Sequence, residues 1–177
     1  MKLEELFKKR QSTREFSDTE IPDAVLERIC ALSVLAPSAV NAQPYRLFAV
    51  NGKKAKEFSK NVQKDGANRW ADGAKAFIVI KAEKPISITR GARTITNAPF
   101  IENDAGILAA YVTLAAESEG VQSCIIGLRD EKGIAEFLNL GPDAHFPLVV
   151  ALGYAAENYP VRKKDRRSLN ETYKLIK

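Results

Sequence analysis

The chain has 177 residues, 45% of them apolar and 28% charged, with a formal net charge of +5 and a pI near 9.2. These values exclude a disordered or collagen-like chain, and the length suits one domain, residues 1–177, with a real core. No apolar run approaches the roughly 20 residues of a membrane span, and the opening MKLEELFKKR is an acidic–basic amphipathic stretch rather than a leader, so a cytoplasmic protein without membrane contact is expected.

Residues 2–9 read as a short helix with Leu3, Leu6 and Phe7 on one face. A second helix is predicted from near Pro22, carrying Val25, Leu26, Ile29 and Leu32 before Pro37 closes it. YRLFAV (45–50) reads as a strand ending at the Asn51-Gly52 turn signal, followed by a lysine-rich helix over roughly 53–64. AFIVIKA (76–82) is a nearly continuous apolar run, which predicts a central strand covered on both faces. Residues 84–102 lack periodicity and read mainly as loop, with a short helix or strand as the alternative within it. The longest helix is predicted over about 103–119, with Ile107, Leu108, Ala110, Tyr111 and Leu114 widening its apolar stripe; such a helix is buried in the domain or against a partner chain. VQSCIIG then reads as a strand, 131–138 as a helix, PLVVALG (147–153) as a buried strand, and the basic remainder as extended.

Two cysteines, Cys30 and Cys124, and one histidine, His145, cannot fill a usual zinc or iron–sulfur ligand set, so no metal is expected. His145 beside Phe146 and Pro147 reads as a packing histidine, and Asp104 as a favourable charge at a helix start. Basic residues are spread along the chain rather than gathered in one stripe, which argues against nucleic acid; a small phosphorylated ligand accounts for the charge equally well. The glycine-loop solutions for phosphate, GxGxxG and GxxxxGK[ST], are missing, so a phosphate must be held by side chains. RQSTREF (10–16) offers Arg10, Ser12 and Arg14, whose guanidinium forks match phosphate oxygens; taken alone, the pair is also compatible with solvated surface charge. VRKKDRR (161–167), with five basic residues in seven, is open to the same two readings. In APSAVNAQPYR (36–46), Ser38, Asn41 and Gln43 place a hydroxyl and amides on a loop held by Pro37 and Pro44, suited to a heterocycle with mixed donor and acceptor edges.

RQSTREF, LAPSAVNAQPYRLFAV, DAGILAAYVTLAAESEGVQSCIIGL, LVVALGYAAE and KDRRSL, in this order over nearly the whole chain, closely resemble the FMN-dependent nitroreductase family. The strand–helix alternation alone suggests a parallel sheet. The resemblance instead implies an α+β fold, with a central, mostly antiparallel sheet flanked by helices, built as an intertwined homodimer with FMN at the subunit interface. It assigns Arg10 to the phosphate, Gln11 to the same N-terminal flavin motif, Ser12 to the flavin or ribityl chain, and Arg14 to the pyrimidine edge or ribityl oxygens. Pro37, Ser38 and Asn41 match the loop that meets FMN, with Gln43 a weaker match; Ile125, Ile126 and Gly127 match the segment passing the isoalloxazine, and Lys164 and Arg166 the basic pair at the phosphate. Tyr45 in place of a frequent Trp, Ala155 in place of a frequent Pro, and a short 84–102 segment depart from the pattern.

The activity implied is two-electron ping-pong reduction of a nitroaromatic, quinone or similar acceptor by NADH or NADPH, with no obligatory protein acid or base assigned. Dehalogenation or flavin fragmentation on the same scaffold, and non-catalytic FMN storage, are the alternatives.

Overall fold

Local signals in the sequence set most element ends. The computed structural model describes residues 2–84, 86, 89–90, 93–94 and 100–177. Its elements are Leu3–Lys9 (α1), Asp23–Ser33 (α2), Tyr45–Asn51 (β1), Lys53–Phe58 (α3), Ala76–Ala82 (β2), Thr89–Arg90 (β3), Arg93–Thr94 (β4), Ile101–Ser118 (α4), Gln122–Ile126 (β5), Glu131–Phe137 (α5), Leu148–Gly153 (β6) and Leu169–Thr172 (α6). Much of the 84–102 loop prediction lies outside the described residues; β3 and β4 form a two-residue antiparallel pair within it.

The main sheet has the order β1-β2-β6-β5, and every pairing in it is antiparallel. This is the nitroreductase-type α+β arrangement that the resemblance implies, not the parallel sheet that alternation alone suggests. AFIVIKA takes the interior position its apolar run requires. Phe77 and Val79 of β2, with Val149 and Ala151 of β6, pack against Phe58, Ile134 and Phe146, and the Phe58 and Phe77 ring centroids are 5.0 Å apart. Ile78, Ile80, Val150 and Leu152 point the other way, onto Ile29 of α2 and Leu108 and Val112 of α4. Two apolar layers on one pair of strands explain why the strands read as continuous rather than alternating.

Helix α4 turns only part of its wide apolar stripe toward the sheet. Its core face is Ala105, Leu108, Ala109, Val112, Ala115 and Ala116, whose small side chains let the helix lie close to the sheet. Ile107, Ala110 and Tyr111 of the wide stripe face outward.

Two other elements depart from expectation. The lysine-rich helix stops at Phe58 and continues as 3-10 turns at Ser59–Val62 and Lys64–Gly66; Asp65, Gly66 and Asn68 have positive φ, so no α-helix runs on past them. Asp72 fixes this region by accepting from Ser59 Oγ at 2.7 Å, Lys60 Nζ at 3.0 Å and Gln63 Nε2 at 2.6 Å, and these bonds hold its carboxyl down to about 2. In the basic remainder, SLNE forms a capping box: Ser168 N and Oγ each donate to Glu171 Oε2 at 2.8 Å and start α6, a signal that the extended reading passed over.

The start of α4 is anchored twice. Asp104, buried at 3% exposure, accepts the Ala39 N–H with both carboxylate oxygens, at 3.1 and 3.3 Å. It therefore holds the 38–43 loop in addition to sitting in a helix first turn. Ser38 Oγ closes that loop by accepting from Gln43 N at 3.0 Å, while Val40, Asn41 and Gln43 all have positive φ. A β-branched residue at φ 48° is strained, so the loop conformation is imposed by its anchors. The second anchor is His145, whose Nε2 meets Glu102 Oε1 at 2.6 Å and whose Nδ1 meets Glu131 Oε2 at 3.0 Å. Glu131 in turn pairs with Arg129 at 2.8 Å. The hydrogen bond to Glu102 raises the His145 pKa, the one to Glu131 adds to it, and partial burial opposes both.

Asp104→Ala leaves the Ala39 N–H without its acceptor and is expected to cost about 1–3 kcal/mol, read by urea denaturation, with faster proteolysis in the 38–43 loop. His145 has a raised folded pKa, so its contribution is complete below its ordinary value of about 6.5 and fades as pH rises through the folded value. Solvent screening at this half-exposed site keeps it below about 1 kcal/mol. Melting temperatures of the native chain should accordingly decline more between pH 6 and 8.5 than those of His145→Asn.

Candidate functional site

RQSTREF is an extended segment pinned at nearly every residue. Ser12 forms a parallel bridge with Ser123 of β5, and Thr13 N donates to Ser123 O at 3.0 Å. Arg14 N donates to the Tyr159 hydroxyl at 3.3 Å, and its guanidinium stands 5.9 Å from the Trp70 ring centroid. Ala156 N donates to Glu15 O at 3.1 Å, and Phe16 bridges Ala155. Phe16 also lies on Gly153, where a Cβ would stand 2.5 Å from the ring, so that position requires glycine. The segment thus continues the edge of the sheet beyond β5, with Thr13 buried and Phe16 packed against the core while Arg14 and Glu15 are exposed.

The far end of the chain returns to the same place. Gln11 Nε2 donates to Pro160 O at 2.9 Å, and Gln11 Oε1 accepts from Arg162 N at 3.0 Å. The Arg162 guanidinium donates to Ser12 O, and the Lys164 ammonium donates to Lys8 O. Between the two segments lies a cavity of about 310 Å³ lined by Arg10, Gln11, Ser12, Arg14 and residues 162–166. Six of these nine residues are cationic, and Asp165 is the one acid. Among the described residues none of the six cations makes an ion pair. Uncompensated positive charge converging on one hollow is the property of a polyanion site.

Of the residues predicted for the cofactor, Arg10, Gln11, Ser12, Arg14, Lys164 and Arg166 are brought together here. Arg162 and Lys163 join them, although the basic run VRKKDRR already contained their signal. Gln11 has its amide engaged by tail backbone at both ends. Pro37, Ser38, Asn41 and Gln43 do not line this cavity; Gln43 borders a separate, more apolar groove of about 600 Å³ with Cys30, Tyr45 and Leu47. On β5, Ile125 is exposed and Ile126 buried. A Cβ on Gly127 would meet no protein atom within 4 Å, so that backbone is open on its outer side. Arg129 donates to Gly127 O and to Glu131, a strut that spacing alone did not reveal.

The sequence model of the Nitroreductase family matches residues 7–64 and 53–154. A protein of Methanothermobacter thermautotrophicus with the provisional name NADH dehydrogenase/NAD(P)H nitroreductase is 28% identical over 163 residues, covering 89% of this chain and 80% of its own. The FMN reductase [NAD(P)H] of Bacillus subtilis is 27% identical over 163 residues, covering 83% of this chain and 63% of its own. The crystal structure of a nitroreductase family protein from Streptococcus pneumoniae TIGR4 superposes with a TM-score of 0.80 at 21% identity, covering 99% of this chain and 100% of the other. Its fold is therefore shared over the full length. With the family pattern running from the N-terminal arginine segment through the last sheet strand, this chain belongs to the Nitroreductase family.

Proposed function

We propose that the protein is an FMN-dependent oxidoreductase that uses NADH or NADPH to reduce nitroaromatic, quinone or similar acceptors in two-electron ping-pong cycles. The observation that carries the reading is the convergence of Arg10 and Arg14 with Arg162, Lys163, Lys164 and Arg166 on one cavity without carboxylate partners. The B. subtilis relative, by its name, acts on FMN with NAD(P)H, and the donor set here fits the dianionic phosphate that FMN carries. Planar guanidinium forks suit phosphate oxygens, and the ammonium groups add charge without geometric demand.

When bound, FMN supplies the two-electron redox chemistry between nicotinamide donor and acceptor. The chain's own residues do the rest. Arg10, Lys164 and Arg166 would hold the phosphate, and the Ser12 hydroxyl would serve a neighbouring oxygen. Arg14, steadied over Trp70, brings fixed positive charge that favours a ligand gaining negative charge on reduction. The open face at Ile125 and Gly127 leaves room for a flat ring against backbone. No side chain is assigned as an obligatory proton donor; solvent can serve.

The loop bearing Pro37, Ser38, Asn41 and Gln43 would complete the site from a second subunit. Support comes from apolar groups left uncovered: Leu3 and Phe7 on α1, Ile107 and Tyr111 on α4, and Tyr173, Leu175 and Ile176 beyond α6. The outer edge of β1 is also without a neighbouring strand among the described residues. Such faces belong to an interface between copies of the chain.

The purified protein should be yellow, release FMN on denaturation, and reduce a nitroaromatic with NADH or NADPH but not deiodinate iodotyrosine; a colourless protein indifferent to added FMN sinks the reading. Arg10→Ala removes charge-assisted hydrogen bonds worth about 1.5–3 kcal/mol each, so FMN affinity measured by flavin fluorescence should fall about ten- to hundredfold, and unchanged affinity would overturn the phosphate assignment. Light scattering should give twice the 19.5 kDa chain mass, and Tyr111→Asp should shift that value toward the monomer.

A further inference from the structure

Gln11 lines the cationic cavity, yet both ends of its amide are spent on the tail backbone: donation to Pro160 O at 2.9 Å and acceptance from Arg162 N at 3.0 Å. A side chain making both bonds does the work of an adjacent strand. It ties residues 160–162 to a segment that is itself bridged to β5 at Ser12 and Ser123. Arg162 to Ser12 O and Lys164 to Lys8 O extend the seam. Apolar burial adds nothing at Val161, which is 64% exposed.

Electrostatics acts against these contacts. Four of the six cations around the cavity, Arg162, Lys163, Lys164 and Arg166, ride on the tail, and the other two, Arg10 and Arg14, stand on the segment facing it. Without a bound anion, and with only the Asp165 carboxylate to offset six cations, like charges push the tail outward. A bound dianion reverses the sign, so the same charges draw the tail in. The Gln11 fork is neutral, so neither the repulsion nor the attraction acts on it directly.

We infer that Gln11 is a positioning residue: it latches residues 160–166 as a strap across the cavity, and latch and bound anion close the strap cooperatively, so that the strap sets how fast an anionic cofactor leaves. The identity of that anion as FMN rests on the function proposed above; the latch itself does not.

The test uses the full chain, native and with Gln11→Met, which keeps size and removes both hydrogen bonds. Circular dichroism melting establishes that each is folded. Hydrogen exchange over residues 159–166 is followed without ligand and with FMN, and FMN dissociation is timed after rapid dilution at several salt concentrations. Without ligand, the strap amides should exchange about tenfold faster in Gln11→Met. FMN should leave the variant about tenfold faster, while the salt dependence of FMN affinity stays unchanged because every cation is retained. Arg162→Ala, altered on the exposed tail where the sheet is not at risk, should loosen the strap similarly and in addition weaken the salt dependence.

Equal strap exchange in the native chain and Gln11→Met without ligand overturns the latch. So does an equal FMN dissociation rate, or a salt dependence that falls in Gln11→Met as it does on losing a charge. If the native chain binds no FMN, the flavin reading fails, and the latch is decided by strap exchange with and without inorganic pyrophosphate: a native–variant difference sustains it, and no difference overturns it.

Discussion

The structure depends on one antiparallel pair, β2 and β6, buried on both faces. Ile78 and Val150 are partners across the pair and face the α2–α4 layer, while their neighbours Phe77 and Ala151 face the aromatic layer around Phe58 and Phe146. Because neither face of this pair can turn to water, helices must cover both, and the polar edges of the sheet are left for recognition. One edge strand, β1, keeps a free side among the described residues; the other, β5, is extended by the N-terminal segment through Ser12. The cationic cavity sits at that extension, so its placement follows from which edge the N-terminal segment caps.

How much of this could be read in the sequence varied with the physical signal. AFIVIKA and PLVVALG declare interior strands by unbroken apolarity, while Pro22 marks the start of α2 and Asn51-Gly52 the end of β1. Strand direction carries no such local mark, and antiparallel pairing entered only through the family resemblance. On α4, period alone cannot say which apolar side chains turn toward the sheet: four alanines with Leu108 and Val112 took the inner face, and Ile107 and Tyr111 the outer. The lysine-rich helix gave way to 3-10 turns after Phe58, and positive φ at 65, 66 and 68 closes the stretch to any further helix.

The site was legible as two basic segments with ligand-compatible side chains, but not as one place. What joins them is a set of backbone contacts, Gln11 with Pro160 and Arg162 and Arg162 with Ser12, and a contact between residues 151 positions apart leaves no trace in local pattern. The same limit hid Asp104's hold on Ala39 and the His145 bridge between Glu102 and Glu131. Each of these residues had a plausible local role, helix-start charge or packing ring, and each turned out to work across the chain.

That long separation has a thermodynamic consequence. An anion held between residues 10–14 and 162–166 would join the two end segments of the chain beside β5, and the unfolded chain offers nothing equivalent, since closing a loop of that length costs entropy before any contact forms. Binding would therefore be linked to global unfolding as well as to the order of the strap: stability would rise as RT ln(1 + [L]/Kd), about 2.7 kcal/mol at a ligand concentration of 100 Kd. Supply of the anion would then set not only whether the site is filled but what fraction of the chain stays folded.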